Sequence, residues 1–156
     1  MIKKKSHTFH QSIIREYDIR GIYGETLFDI DAEILGNLFG KIVGKNKTVN
    51  VGYDGRLSSV SLKKRLITGL LECGVQVNEI GLCPTPMLYY SCFELCASGG
   101  IIVTGSHNPK NHNGFKIVLE NMPFFGKDLL RLGEDAKSFE LTEADSSMKS
   151  LDLEKK

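Results

Sequence analysis

The sequence predicts an α/β protein: a layered α/β/α domain whose helices cover a mostly parallel sheet with one antiparallel strand. Three observations carry this. The segments Thr48-Val49-Asn50-Val51-Gly52-Tyr53 and Val75 to Ile80 alternate like short strands around an amphipathic helix. Residues 48–82 therefore read as a βαβ unit, with parallel strands and a right-handed crossover. Gly100-Ile101-Ile102-Val103-Thr104 is almost wholly apolar, the pattern of a strand buried on both faces. A further helix precedes the unit, with Ile34, Leu35, Leu38, Phe39, Ile42 and Val43 at helical spacing.

In chain order, Met1 to Ser12 opens with three lysines and has no apolar stretch after them, so a flexible, solvated end over 1–12 is expected and not a signal peptide. Asp31 suits the N-cap of the first helix, and Gly44 its end. The first strand of the βαβ unit runs into the turn Asp54-Gly55-Arg56. The second helix starts at Ser58, places Leu62, Leu66, Ile67, Leu70 and Leu71 on one face, and ends at Gly74. Cys83-Pro84-Thr85-Pro86 breaks the next strand, and Met87 to Leu95 reads as a short buried helix. After the apolar strand comes an Asn-rich polar loop, then a last strand from Phe115 to Leu119 and a helix from Lys127 to Lys137. Ser138 to Lys156 is a charged, weakly periodic tail.

Composition bounds the function. A chain of 156 residues is the size of one domain. Lys and Arg total 20 against 19 Asp and Glu, so no bulk charge favours nucleic acid or an anionic membrane. No apolar run approaches the ~18 residues of a membrane span. The four cysteines, Cys73, Cys83, Cys92 and Cys96, contain no C-x-x-C pair and read as reduced thiols, which fits a cytoplasmic protein.

Chemistry concentrates in Thr104-Gly105-Ser106-His107-Asn108-Pro109, the loop leaving the buried strand. In open α/β sheets ligands bind beyond the carboxyl ends of strands. Gly105 permits a tight turn, and Pro109 stiffens the exit while biasing Asn108 towards extended backbone. Ser106 is then a hydroxyl on a rigid turn, with His107 beside it; an ordinary polar turn is the alternative. The loop is not a nucleophile elbow, because Thr104 and Asn108 stand where glycines are needed. Neither a P-loop nor a G-x-G-x-x-G fingerprint occurs.

Taken with Asn113-Gly114-Phe115-Lys116-Ile117, this loop resembles the phosphoserine loop of the α-D-phosphohexomutases. Tyr17-Asp18-Ile19-Arg20-Gly21, Val51-Gly52-Tyr53-Asp54-Gly55-Arg56 and Pro84-Thr85-Pro86 are similar to three further motifs of that family, in the same order. The resemblance runs over about residues 13–120 and points to the bacterial phosphomannomutase/phosphoglucomutase branch. The phosphoglucosamine mutase branch, which usually has Ala before the serine, is the alternative. Residues 13–137 would be domain I of that family, and 138–156 the start of a linker to a second domain.

The resemblance implies an isomerase that moves phosphate between the 1- and 6-positions of a hexose through a bisphosphate intermediate. Ser106 would be the phosphoryl carrier, and Mg²⁺ would bind an oxygen of its phosphate. A phosphoserine brings about −1.5 to −2 charge. Arg20 and Lys116 would offset it, Lys116 and His107 would help move the proton, and Tyr17 and Asn108 would complete the hydrogen bonding. On the residues alone, Arg20 beside Glu16 and Asp18 reads equally as a surface charge cluster, and Lys116 as an edge-strand gatekeeper. Asp54 and Arg56 read as a structural turn pair near the site. Members of the family have four domains, and the Asp-Gly-Asp-x-Asp metal loop of the second has no counterpart here. The expected partners are thus a hexose phosphate, a hexose 1,6-bisphosphate activator, and the missing domains in cis or trans. Alone, the chain should fold and turn over very poorly. A non-catalytic scaffold that keeps the fold is the other class of reading.

Overall fold

The computed structural model describes residues 6–138. Its elements are β1 (Ile19–Ile22), α1 (Asp29–Val43), β2 (Thr48–Tyr53), α2 (Ser59–Glu72), β3 (Gln76–Leu82), α3 (Thr85–Glu94), β4 (Gly99–Val103), β5 (His112–Leu119), β6 (Met122–Pro123) and α4 (Lys127–Lys137). The sheet order is β1-β5-β4-β2-β3, with β6 beside β5. β2 is parallel to both β3 and β4, whereas β5 is antiparallel to β4 and to β1. Of the five longer strands, β5 alone runs against the rest. This is the expected layered, mostly parallel arrangement.

Two apolar cores clasp the sheet. The larger joins Leu35 and Phe39 of α1, Leu62 and Leu66 of α2 and Leu132 of α4 to Val51, Ile101 and Phe115 of the strands. The smaller joins Leu88 and Cys92 of α3 to Ile102 and Val118 on the opposite face. α1 and α2 touch through glycines: a Cβ on Gly36 would overlap the Leu66 carbonyl, and one on Gly69 the Glu33 carbonyl. That close approach packs the C-terminal half of α2 against α1.

Several expectations are corrected. Phe28, not Asp31, is the N-cap of α1. Asp31 stands two residues inside the helix, where its Oδ2 accepts the Phe28 N–H at 2.8 Å. Its Oδ1 meets His7 Nε2 at 2.6 Å. The N-terminal stretch expected to be flexible is therefore anchored over its described part: Phe9 is buried in the core, and the His7 N–H donates to the Ala136 carbonyl at 3.1 Å. Residues 1–5 and 139–156, nearly all of the expected tail, lie outside the described residues.

α3 is not a buried helix. Only Leu88 and Cys92 are covered, while Tyr90 and Phe93 are 59% and 70% exposed, because nothing in the described chain packs on that side. The last strand begins at His112 and not at Phe115, since the polar Asn113 is satisfied in the interior. Its Nδ2 donates to Ser58 Oγ (2.8 Å) and Ser59 Oγ (3.0 Å). β1 has no forerunner in the periodicity of the sequence.

Candidate active site

Parallel β2 and β4 end side by side, and there the turn after β2 meets the loop 104–111 after β4. Ser106 is exposed on that loop with φ +52°, a left-handed conformation. For a residue with a side chain this costs on the order of 1–2 kcal/mol, so its surroundings must hold it. They do so at both peptide groups. The Ser106 N–H donates to Thr104 Oγ1 at 3.0 Å, and its carbonyl accepts from Arg56 Nη2 at 3.1 Å.

Asp54 and Arg56 organise the rest. Asp54 Oδ2 accepts the Gly105 N–H (2.9 Å), Thr104 Oγ1 (3.1 Å) and Arg56 Nε (3.2 Å). Its Oδ1 accepts the Arg56 N–H (3.1 Å) and Ser59 Oγ (2.5 Å). The other end of the guanidinium reaches three loop carbonyls, Ser106, Asn108 (2.7 Å) and Pro109 (2.5 Å), and that of His112 at the start of β5 (3.1 Å). Gly105 lies directly against this group, since a Cβ there would overlap the Arg56 guanidinium. Asn108 closes the loop on itself, its Nδ2 donating to the Gly105 carbonyl at 3.1 Å.

Burial alone would raise the Asp54 carboxyl. Hydrogen bonds from Ser59, the Gly105 and Arg56 N–H groups and Thr104 outweigh it and hold the group below its usual value. A carboxyl depressed in the folded state contributes stability that is present above the unfolded value of ~3.9 and is lost as pH falls through the native value. Below pH ~4 the protein should therefore lose part of its stability through Asp54. Urea midpoints between pH 6 and 3 should fall more steeply in the parent than in Asp54→Asn; equal slopes would show that Asp54 contributes nothing.

The register brings two of the expected cations to one sheet face. Arg20 on β1 pairs with Gly114, and Lys116, two residues along β5, pairs with Ile102. Directly paired residues share a face, and so do residues two apart in a strand. The Gly114 carbonyl accepts the Thr104 N–H at 2.9 Å, which puts this pair of strands against the base of the Ser106 loop. Glycine at 114 is required, because a Cβ there would overlap the Ile19 carbonyl and hold β1 away.

Arg20 is not part of a surface cluster. It is 3% exposed, its Nη2 bonds Asp18 Oδ2 at 2.6 Å, and its Nη1 is buried without a partner among the described residues. Lys116 is half-buried on an interior strand, so the gatekeeper reading, which needs an edge, does not hold. His107 is exposed on the loop. Tyr17 is not brought to the loop's hydrogen bonds; it is 72% exposed and stacks on Phe125, with ring centroids 5.8 Å apart.

Among the described residues no group of three His, Cys, Asp or Glu side chains is placed to hold a metal ion. Asp54, the acid beside the loop, has both oxygens engaged. Among the described residues no set of acidic side chains is placed around Ser106 to hold a cation. No helix among the described residues is long and apolar enough to cross a membrane. The role of Arg56 is what sequence reasoning missed. Its motif is legible, but the carbonyls it holds lie 50 or more residues away.

The phosphoglucomutase/phosphomannomutase alpha/beta/alpha domain I pattern matches residues 11–135. A phosphomannomutase/phosphoglucomutase of Pseudomonas aeruginosa is 39% identical over 155 residues, covering 98% of this chain and 34% of its own length. A phosphomannomutase of Escherichia coli is 44% identical over 126 residues, 78% of this chain and 27% of that protein. Among solved structures, a phosphoglucomutase/phosphomannomutase family protein of Burkholderia thailandensis superposes with a TM-score of 0.74 at 37% identity. That match covers 87% of this chain and 30% of the other. The chain spans about a third of the length of these relatives. It belongs to the phosphoglucomutase/phosphomannomutase family, of which it carries domain I.

Proposed function

We propose that this chain is the nucleophile-bearing domain of a phosphohexomutase that interconverts hexose 1-phosphate and hexose 6-phosphate. Ser106 carries the phosphoryl group. It passes that group to the free hydroxyl of the bound sugar phosphate, giving a hexose 1,6-bisphosphate, and takes back the other phosphate. As the new ester forms the Ser106 Oγ–P bond breaks; the sugar hydroxyl gives up its proton to His107, the departing serine oxygen takes one up, and the Lys116 ammonium offsets the phosphate charge. One observation carries the reading: an exposed serine, held left-handed by its neighbours, beside a sheet face that presents a buried arginine with an unpartnered Nη1 and a lysine without an ion pair among the described residues. Such a place favours a dianionic phosphoserine.

Mg²⁺ on an oxygen of that phosphate would neutralise charge during transfer. Its remaining ligands must come from polypeptide outside the described residues, because Asp54 is already committed to the loop. The same holds for recognition of the sugar. Catalysis of phosphoryl transfer rests on positioning and charge stabilisation, so a lone domain I should be a poor catalyst.

The test is a coupled assay of glucose 1-phosphate conversion to glucose 6-phosphate with Mg²⁺ and hexose 1,6-bisphosphate. The chain alone should stay well below ~1 s⁻¹, the low end of ordinary enzymes. Turnover should appear when a polypeptide carrying the remaining domains of the family is added. Full activity of the chain alone would refute the need for further domains, and an inert mixture would count against the mutase reading.

A further inference from the structure

We infer that Asp54 and Arg56 are positioning residues for Ser106: together they form a clamp that sets the loop in its working shape before any ligand binds. This rests on the proposed role of Ser106 as phosphoryl carrier and adds how that serine is presented. Nothing in the arrangement gives Arg56 a phosphate or sugar to hold. Its Nε faces Asp54, and both Nη atoms are spent on backbone carbonyls of the loop. The pair therefore acts through the loop and not on substrate.

Three features single out a clamp from a chance turn contact. First, the planar fork of arginine is matched by carbonyls converging from three loop positions and the first residue of β5, a geometry that an ammonium cannot reproduce. Second, Asp54 takes the Gly105 N–H directly and the Thr104 hydroxyl that accepts the Ser106 N–H, while Arg56 takes the Ser106 carbonyl, so the backbone is tied before and after Ser106. Third, Gly105 is spared a side chain for steric reasons alone. Its φ is not among the positive ones, and the three nearest atoms a Cβ would meet all belong to Arg56. The left-handed Ser106 backbone is the strained element, and the clamp is what holds it there.

Two variants attack the clamp from opposite sides. Arg56→Lys keeps the charge and removes the fork. Gly105→Ala leaves Arg56 and Asp54 intact and displaces the guanidinium. Amide hydrogen exchange of the chain, followed residue by residue, reads the result without reference to activity. In both variants the Gly105, Ser106 and Asn108 amides should exchange ~10-fold faster or more, while α1 and α2 core amides keep their parent rates. Unchanged loop exchange in either variant, or an equal acceleration throughout the core, would overturn the clamp. A second readout uses the complemented enzyme: Arg56→Lys should lower kcat ~10-fold or more with KM within ~2-fold, because the Arg56 donors are already engaged with Asp54 and backbone carbonyls. A rise in KM with unchanged kcat would instead make it a substrate contact. If the parent mixture is itself inactive, the mutase reading fails and hydrogen exchange still decides the clamp.

Discussion

Ser106→Ala should abolish hexose phosphate interconversion by the complemented enzyme, with a loss on the order of 10⁴-fold or more, the scale seen when a nucleophile is removed. The side chain is the carrier of the phosphoryl group in the proposed cycle, and a methyl group cannot form the ester. The same substitution should leave the fold alone. Ser106 is exposed, and what ties it down are its N–H and its carbonyl, both of which alanine retains. Its unfolding free energy should match the parent's within ~0.5 kcal/mol. Near-parent turnover in a folded Ser106→Ala variant would remove the serine from the mechanism.

The second large effect concerns Arg20. A buried guanidinium with one free Nη costs stability, because an unsatisfied buried polar group carries a penalty of roughly 1–3 kcal/mol, and more if charged. Asp18 offsets one end at 2.6 Å, and an anion arriving over this face would satisfy the other. On the proposed reading that anion is the phosphoryl group in transit. Arg20→Gln should therefore lower the rate of transfer by ~100- to 1,000-fold, the range found when one preorganised donor to developing charge is lost. Pre-steady-state transfer from hexose 1,6-bisphosphate to the protein measures it. A transfer rate within ~2-fold of the parent would assign Arg20 to structure only.

Much of this molecule is legible in its sequence, and the parts that are not share a cause. α2 and α4 announce themselves through local signals: apolar residues at helical spacing, a serine before α2 and a glycine after it. β2 and β4 do the same through alternation and a continuous apolar run. β1 does not, because four residues with a charged arginine among them have no pattern of their own. Their place in the sheet comes from β5, through a close approach at Gly114. The burial of Arg20 follows from that pairing and is equally invisible along the chain. α3 misleads in the other direction, since its apolar composition suggests a covered helix and the fold covers only two of its side chains.

The site divides along the same line. The loop and the strand that carry Ser106, Asn108 and Lys116 stand out in the sequence, while the stacking of Tyr17 on Phe125 does not show in its motif. Arg56 lies in a recognisable Asp-Gly-Arg turn, but its grip on the loop exists only once β2 and β4 stand side by side.

The central claim is that Ser106 is the residue that takes the phosphate. Its most direct test is to incubate the chain, together with the remaining domains of the family, with hexose 1,6-bisphosphate and Mg²⁺, and to map the phosphate by tandem mass spectrometry. The account predicts phosphate on Ser106 and none in Ser106→Ala. Phosphate on another residue, or its persistence in Ser106→Ala, would contradict it.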